Sequence, residues 1–123
     1  MADTATLTLN DVLDRNTILI DVKVETKEDV FRTLAERLFE QGYVSSVDDF
    51  LDALHKREEE GATGIGNHIA IPHGRSETVT RNGVAIAILD HEIEWESLDD
   101  TGAKLVVCLL YTSDAADDLI GVD

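Results

Sequence analysis

Residues 57–75 read Arg57-Glu58-Glu59-Glu60-Gly61-Ala62-Thr63-Gly64-Ile65-Gly66-Asn67-His68-Ile69-Ala70-Ile71-Pro72-His73-Gly74-Arg75. A glycine-broken loop leads into a short apolar run, Ile69-Ala70-Ile71, which predicts a strand. Pro72 cannot donate to a sheet ladder, so the strand is expected to stop there. His73 then stands at a strand end, on backbone whose φ is restricted on one side. Gly74 is expected to leave space beside the imidazole and to tolerate unusual dihedrals. A nucleophilic or proton-carrying histidine needs such rigid, open placement. A Pro-His pair alone would describe only a surface histidine after a strand.

The whole run is more specific than that pair. Arg57-Glu58, Thr63-Gly64, Gly66 and Ile69-Ala70-Ile71-Pro72-His73-Gly74 follow one another at fixed spacing. Together they closely resemble the active-site segment of enzyme IIA domains of the fructose/mannitol type, from the sugar phosphotransferase system. The resemblance implies that His73 is the phosphorylated residue. It also implies a functional role for Arg57, sixteen positions earlier.

Composition is compatible with that expectation. The 123-residue chain fits one domain, and 43% hydrophobic residues suffice for a core. No apolar run approaches the length that spans a bilayer. Met1-Ala2-Asp3-Thr4 lacks the basic and apolar regions of a signal peptide, so a cytoplasmic location is expected. The single cysteine, Cys108, has no partner for an internal disulfide and lies in the apolar run Leu105-Val106-Val107-Cys108-Leu109-Leu110. A buried, inert thiol is expected there.

Ten Lys/Arg against 26 Asp/Glu give a net charge of −16. Such a chain repels nucleic acid and anionic membrane surfaces. Acids spread along the chain and scarce lysine suggest adaptation to a high-salt cytoplasm, where repulsion is screened. The charge is not uniform. Between His55 and Arg81, Lys56, Arg57, Arg75 and Arg81 balance Glu58, Glu59, Glu60 and Glu77. A phosphoryl dianion is costly in a strongly negative field, and this neutral window coincides with the motif.

The rest of the chain reads as an α/β domain, a single layered unit with a mixed β-sheet flanked by helices. Ile18, Ile20, Val22 and Val24 alternate as in a half-buried strand. Thr26, with Asp29 three residues on, predicts a helix start. That helix groups Val30, Leu34 and Leu38, with Phe31, Ala35 and Phe39 beside them, and stops at Gly42. Ser46 and Asp49 repeat the pattern before a second helix carrying Phe50, Leu51 and Leu54, which ends at Gly61. Residues 61–68 are expected as a loop whose glycines let backbone amides approach an anion. Strands are expected at 69–71, 83–89 and 105–110, the last two buried, with a polar excursion over 90–100.

The carboxyl end departs from the family pattern. Family members continue past the strand at 105–110 with further helix and a second histidine, whereas no histidine follows His91 here. From about Leu110 the chain resembles translated sequencing-adapter sequence. Residues 1–110 are therefore expected to be an enzyme IIA domain lacking its carboxyl-terminal part, and 111–123 a foreign tail.

The resemblance implies a phosphocarrier. The carrier protein HPr would pass a phosphoryl group to His73, and His73 would pass it to a thiolate of an enzyme IIB domain for fructose-type uptake. Neutral imidazole is a competent nucleophile near neutral pH, and positioning and charge carry most of the catalysis. No metal or nucleotide cofactor is required, because the phosphate arrives activated on protein. Arg57 is the candidate to hold phosphoryl oxygens with its planar fork. Thr63 is a candidate to donate a hydroxyl or amide hydrogen bond to the phosphoryl group or, equally, a loop-stabilising residue. Arg75 is a candidate for phosphate or partner contact, ranked below Arg57. A hydrogen-bond acceptor is expected at the second His73 nitrogen. His55, His68 and His91 match no zinc spacing and are read as surface or structural. Two other readings remain open: a regulatory nitrogen-type relative acting through protein binding, and an acidic binding domain without chemistry.

Overall fold

In a computed structural model describing residues 13–112, one mixed sheet of six strands carries two helices on one face. Strand β1 (Ile18–Val22) follows a single 3-10 turn at Arg15–Thr17. Helix α1 (Lys27–Glu40) begins where expected, the Thr26 hydroxyl accepting the Asp29 amide at 3.1 Å. It stops at Gly42, whose φ of +81° continues no helix. Helix α2 (Val47–Glu60) is capped by the Ser46 hydroxyl on the Asp49 amide at 3.2 Å and ends at Gly61.

The expected loop over 61–68 contains a strand, β2 (Gly64–Gly66). It pairs antiparallel with β3 (Ile69–Ala70), and the Gly64 amide donates to the Glu96 carbonyl at 3.1 Å. A Cβ at Gly64 would lie 2.4 Å from that carbonyl oxygen. This glycine therefore serves close backbone packing rather than anion approach. Strand β5 (Gly83–Ile93) absorbs the first part of the expected polar excursion, and its Ile93 pairs with Ala103 of β6 (Ala103–Tyr111).

β3 stops at Ala70, one residue before the expected Ile71, but pairing with β6 resumes beyond Pro72. Ile69 and Ala70 pair in parallel with Leu105 and Val106; His73, Gly74 and Arg75, forming β4, pair with Leu109, Leu110 and Tyr111. The register is the same on both sides of Pro72. The proline removes one donor, but its carbonyl still accepts the Leu109 amide at 3.0 Å. His73 thus opens a resumed strand instead of hanging from a finished one.

The strand order is β1-β5-β6-β3-β2, with β4 also on β6; β5 and β6 are antiparallel, whereas β1 on β5 and β3 and β4 on β6 are parallel. Ala85, Ala87 and Leu89 of β5, with Val106, Cys108 and Leu110 of β6, are buried. They share the core with Val30, Phe31, Leu34, Ala35 and Leu38 of α1 and Phe50, Leu51 and Leu54 of α2. Burying each such large side chain contributes about 1.5–3 kcal/mol. The alternate positions Val84, Ile86, Leu105, Val107 and Leu109 are only half-buried and Ile88 is exposed, so β5 and β6 are buried on one face, not on both as expected. Phe39, expected beside the core stripe, is 50% exposed. Cys108 is fully buried, and desolvation pushes its thiol up to about 12, as an inert thiol requires. Tyr111 continues β6, and the remainder of the expected tail from residue 113 lies outside the described residues.

Candidate functional site

Helix α2 and strand β4 meet at a cavity of about 590 Å³. Ala53, Lys56, Arg57 and Glu60 line it from the helix, and His73, Arg75, Ser76, Glu77 and Tyr111 from the sheet side. The helical residues recur at i, i+3, i+4 and i+7, one face of α2 turned to the cavity. The meeting of α2 with β4 depends on Gly74. A Cβ at that position would sit 2.3 Å from Phe50 Cε1, so the space expected beside the imidazole is filled by the Phe50 ring of α2.

His73 is half-buried at the cavity. Its Nδ1 is buried and meets no hydrogen-bond partner among the described residues, so the expected acceptor is not found there. Nε2 is left as the nitrogen able to face the cavity. Burial lowers the His73 pKa below the usual 6.5, and the charge of Arg57 adds to that lowering. The Ile71 carbonyl and Glu58 pull the other way, the carbonyl without meeting hydrogen-bond geometry at Nδ1. The balance is an imidazole kept neutral to lower pH than a free one, with its lone pair available for attack. The Tyr111 ring stands edge-on to it, centroids 6.5 Å apart and planes at 87°.

Arg57 occupies the last turn of α2, where one guanidinium nitrogen donates to the Gly61 carbonyl at 3.1 Å. That bond anchors one branch of the fork and leaves the other nitrogens available to the cavity. Arg75 is exposed on β4 and lines the same cavity. The lining carries Lys56, Arg57 and Arg75 against Glu60 and Glu77, a net positive patch on a chain of net charge −16. Sequence reading singled out His73, Arg57 and Arg75, and the fold brings all three together.

Thr63 lies elsewhere. It is 3% exposed and not part of the cavity wall. Its hydroxyl donates to Glu58 Oε1 at 2.5 Å and accepts from the Trp95 indole at 3.1 Å. The single hydroxyl proton is already given to Glu58, which favours the loop-stabilising alternative over a hydrogen bond from this hydroxyl to a phosphoryl group. Lys56, Glu77 and Tyr111 join the site without having been singled out. The helical spacing of 53, 56, 57 and 60 signals Lys56. Tyr111 reaches His73 only through the parallel register with β6, a pairing of distant segments with no local signature.

The remaining histidines are engaged with carboxylates. His55 pairs with Glu28 at 2.9 Å, His68 Nδ1 with Glu92, and His91 Nδ1 with Asp90 at 2.6 Å. These contacts are those of structural or surface residues.

Residues 11–120 match the family described as phosphoenolpyruvate-dependent sugar phosphotransferase system, EIIA 2. A fructose-specific EIIA component from Haloferax volcanii is 36% identical over 93 residues, which are 76% of this chain and 60% of that protein. Against multidomain EIIABC relatives the chain spans only 16% and 17% of their length. Among solved structures, nitrogen regulatory protein IIA-Ntr from Neisseria meningitidis superposes with a TM-score of 0.81 at 26% identity, covering 90% of this chain and 75% of that one. Enzyme IIA-mannitol from Escherichia coli, solved in complex with phosphorylated enzyme IIB-mannitol, superposes with a TM-score of 0.73 at 26% identity, covering 89% and 76%.

Proposed function

Because this chain belongs to the EIIA type 2 family of the phosphoenolpyruvate-dependent sugar phosphotransferase system, we propose that it is a phosphocarrier whose acceptor is His73. The observation that carries this reading is a half-buried, neutral-biased imidazole opening on a cavity lined by Lys56, Arg57 and Arg75. The phosphoryl donor is phospho-HPr. The Nε2 lone pair of His73 attacks phosphorus, a new N–P bond forms as the donor's N–P bond breaks, and the HPr imidazole leaves with the electron pair. Arg57 holds the equatorial oxygens while charge spreads over them. Arg75, exposed at the rim, contacts phosphate or partner. In the second transfer a thiolate of an enzyme IIB domain attacks the same phosphorus and the His73 imidazole leaves. Every atom passed on arrives on protein, so the transfer calls for neither metal nor nucleotide.

The Haloferax relative supports fructose-type uptake as the output, and the strongly acidic composition supports a high-salt cytoplasm as the setting. No helix among the described residues is long and apolar enough to cross a membrane. The likeness to a nitrogen regulatory IIA protein favours a second reading, in which the same phosphorylation switches protein binding. Incubation with phospho-HPr, then with either an enzyme IIB domain or candidate binding proteins, tests both. Onward transfer to the IIB cysteine supports the carrier role; a stable phospho-form whose binding changes, without onward transfer, supports the regulatory one.

A further inference from the structure

Glu58 follows Arg57 in the chain, but its side chain turns away from the cavity into a polar junction beneath it. Its side chain is 12% exposed. Oε2 accepts from Lys27 Nζ of α1 at 2.7 Å, and Oε1 accepts from the Thr63 hydroxyl at 2.5 Å. The Thr63 hydroxyl also accepts from the Trp95 indole, and the Lys27 ammonium lies 5.0 Å from the centroid of the Trp95 ring. Phe31 meets that ring edge-on at 5.7 Å. The Thr63 carbonyl accepts the Ile71 amide at 2.9 Å, two residues before His73. One carboxylate therefore joins both helices to the segment that delivers His73.

Packing alone does not call for a carboxylate here. Enclosed charges are costly, and an apolar residue of similar volume often stabilises as well or better. What an apolar residue could not do is fix the direction of two hydrogen-bonding neighbours at once, Lys27 and Thr63, the second of which also holds the Trp95 indole. We propose that Glu58 is a positioning residue for phosphoryl acceptance, holding the last turn of α2, and with it Arg57, in register with the strand that carries His73. The inference rests on the phosphocarrier reading of His73. Glu58 also acts on His73 through space, favouring the charged ring where Arg57 disfavours it. The other ionisable groups at the His73 cavity are Lys56 and Glu60 from α2, Arg75 and Glu77 from the β4 segment, and Tyr111 from β6. On its other side Glu58 faces Lys27.

Two variants separate clamp from charge. Glu58→Gln retains an acceptor for Thr63 and removes the charge; Thr63→Val retains the charge and removes the hydroxyl. The His73 imidazole is titrated by NMR in each, and acceptance from phospho-HPr is timed on protein whose amide spectrum is that of a folded domain. The expected result is a His73 midpoint lowered in Glu58→Gln and unmoved in Thr63→Val, with transfer slowed in both, up to roughly 10²-fold. Parental transfer rates in both variants, or an unmoved midpoint in Glu58→Gln, overturn the proposal. Should the parent itself accept no phosphoryl group, the phosphocarrier reading fails, while the midpoints still report what Glu58 does to His73.

Discussion

The Phe50 ring fills the space where a side chain at position 74 would stand, 2.3 Å from the position of a Cβ. This contact sets how closely α2 approaches β4, and hence how far Arg57 stands from His73. Gly74→Ala is expected to destabilise the domain by about 1–3 kcal/mol through overpacking and to slow phosphoryl acceptance. Adding Phe50→Leu should restore part of both. Denaturant melts and transfer assays on the single and double variants check this; equal defects with and without the smaller partner would place the effect of Gly74 elsewhere.

Arg57 is expected to act on the phosphoryl group rather than on the fold. Arg57→Ala should slow acceptance by roughly 10²–10³-fold, the scale of losing a donor to developing negative charge. Arg57→Lys should recover only part of it, because an ammonium is not a planar fork. Loss of the cation should also raise the His73 midpoint, since Arg57 lowers it in the parent. An NMR titration beside the rate measurement reads both effects on one protein.

The depressed His73 pKa has a consequence for stability. Below 6.5 the unfolded chain takes up a proton on this residue before the folded one does, so folding loses stability as pH falls from 6.5 through the lower folded value. The stabilisation is fully present above 6.5. His73→Gln, which carries no proton to gain, should show a shallower fall over that window than the parent. Urea melts at stepped pH give the two slopes. The same shift predicts that the acid limb of the phosphoryl-acceptance profile lies below pH 6.5.

Thr63→Val is expected to cost about 1–3 kcal/mol, because it strips a partner from both Glu58 and the Trp95 indole in a buried setting. It should slow acceptance less than Arg57→Ala does. A loss equal to that of Arg57→Ala would instead make Thr63 a direct phosphoryl contact.

A net charge of −16 on 123 residues predicts a domain stabilised by salt. The melting temperature should climb as ionic strength rises from about 0.01 M to about 1 M, while the screening length shrinks from ~30 Å to ~3 Å. Thermal scans across that range check it, and a flat response would remove the high-salt reading.

Helices and caps were legible in the sequence because their signals are local. Thr26 and Ser46 cap where their hydroxyls find an amide three residues on, and Gly42 stops α1 for want of a Cβ. His73 and Arg57 were legible because one motif holds both. Non-local pairing was not. Nothing near Pro72 says that the strand resumes in the same register along β6, or that Tyr111 thereby reaches His73. For Thr63 the sequence leaves phosphoryl contact and loop stabilisation equally open; only the arrival of Trp95 and Glu58 shows its hydroxyl to be occupied. The burial of β5 and β6 was overestimated, since an apolar run reads the same whether one face or two are covered.

The most direct measurement is phosphorylation of the intact protein by phospho-HPr, with the modified residue located by mass spectrometry under conditions that preserve phosphohistidine. One phosphoryl group on His73 in the parent, and none on a folded His73→Ala variant, is the predicted result. A parent that stays unmodified, or a His73→Ala protein that is still phosphorylated, would contradict the assignment of His73 as the acceptor.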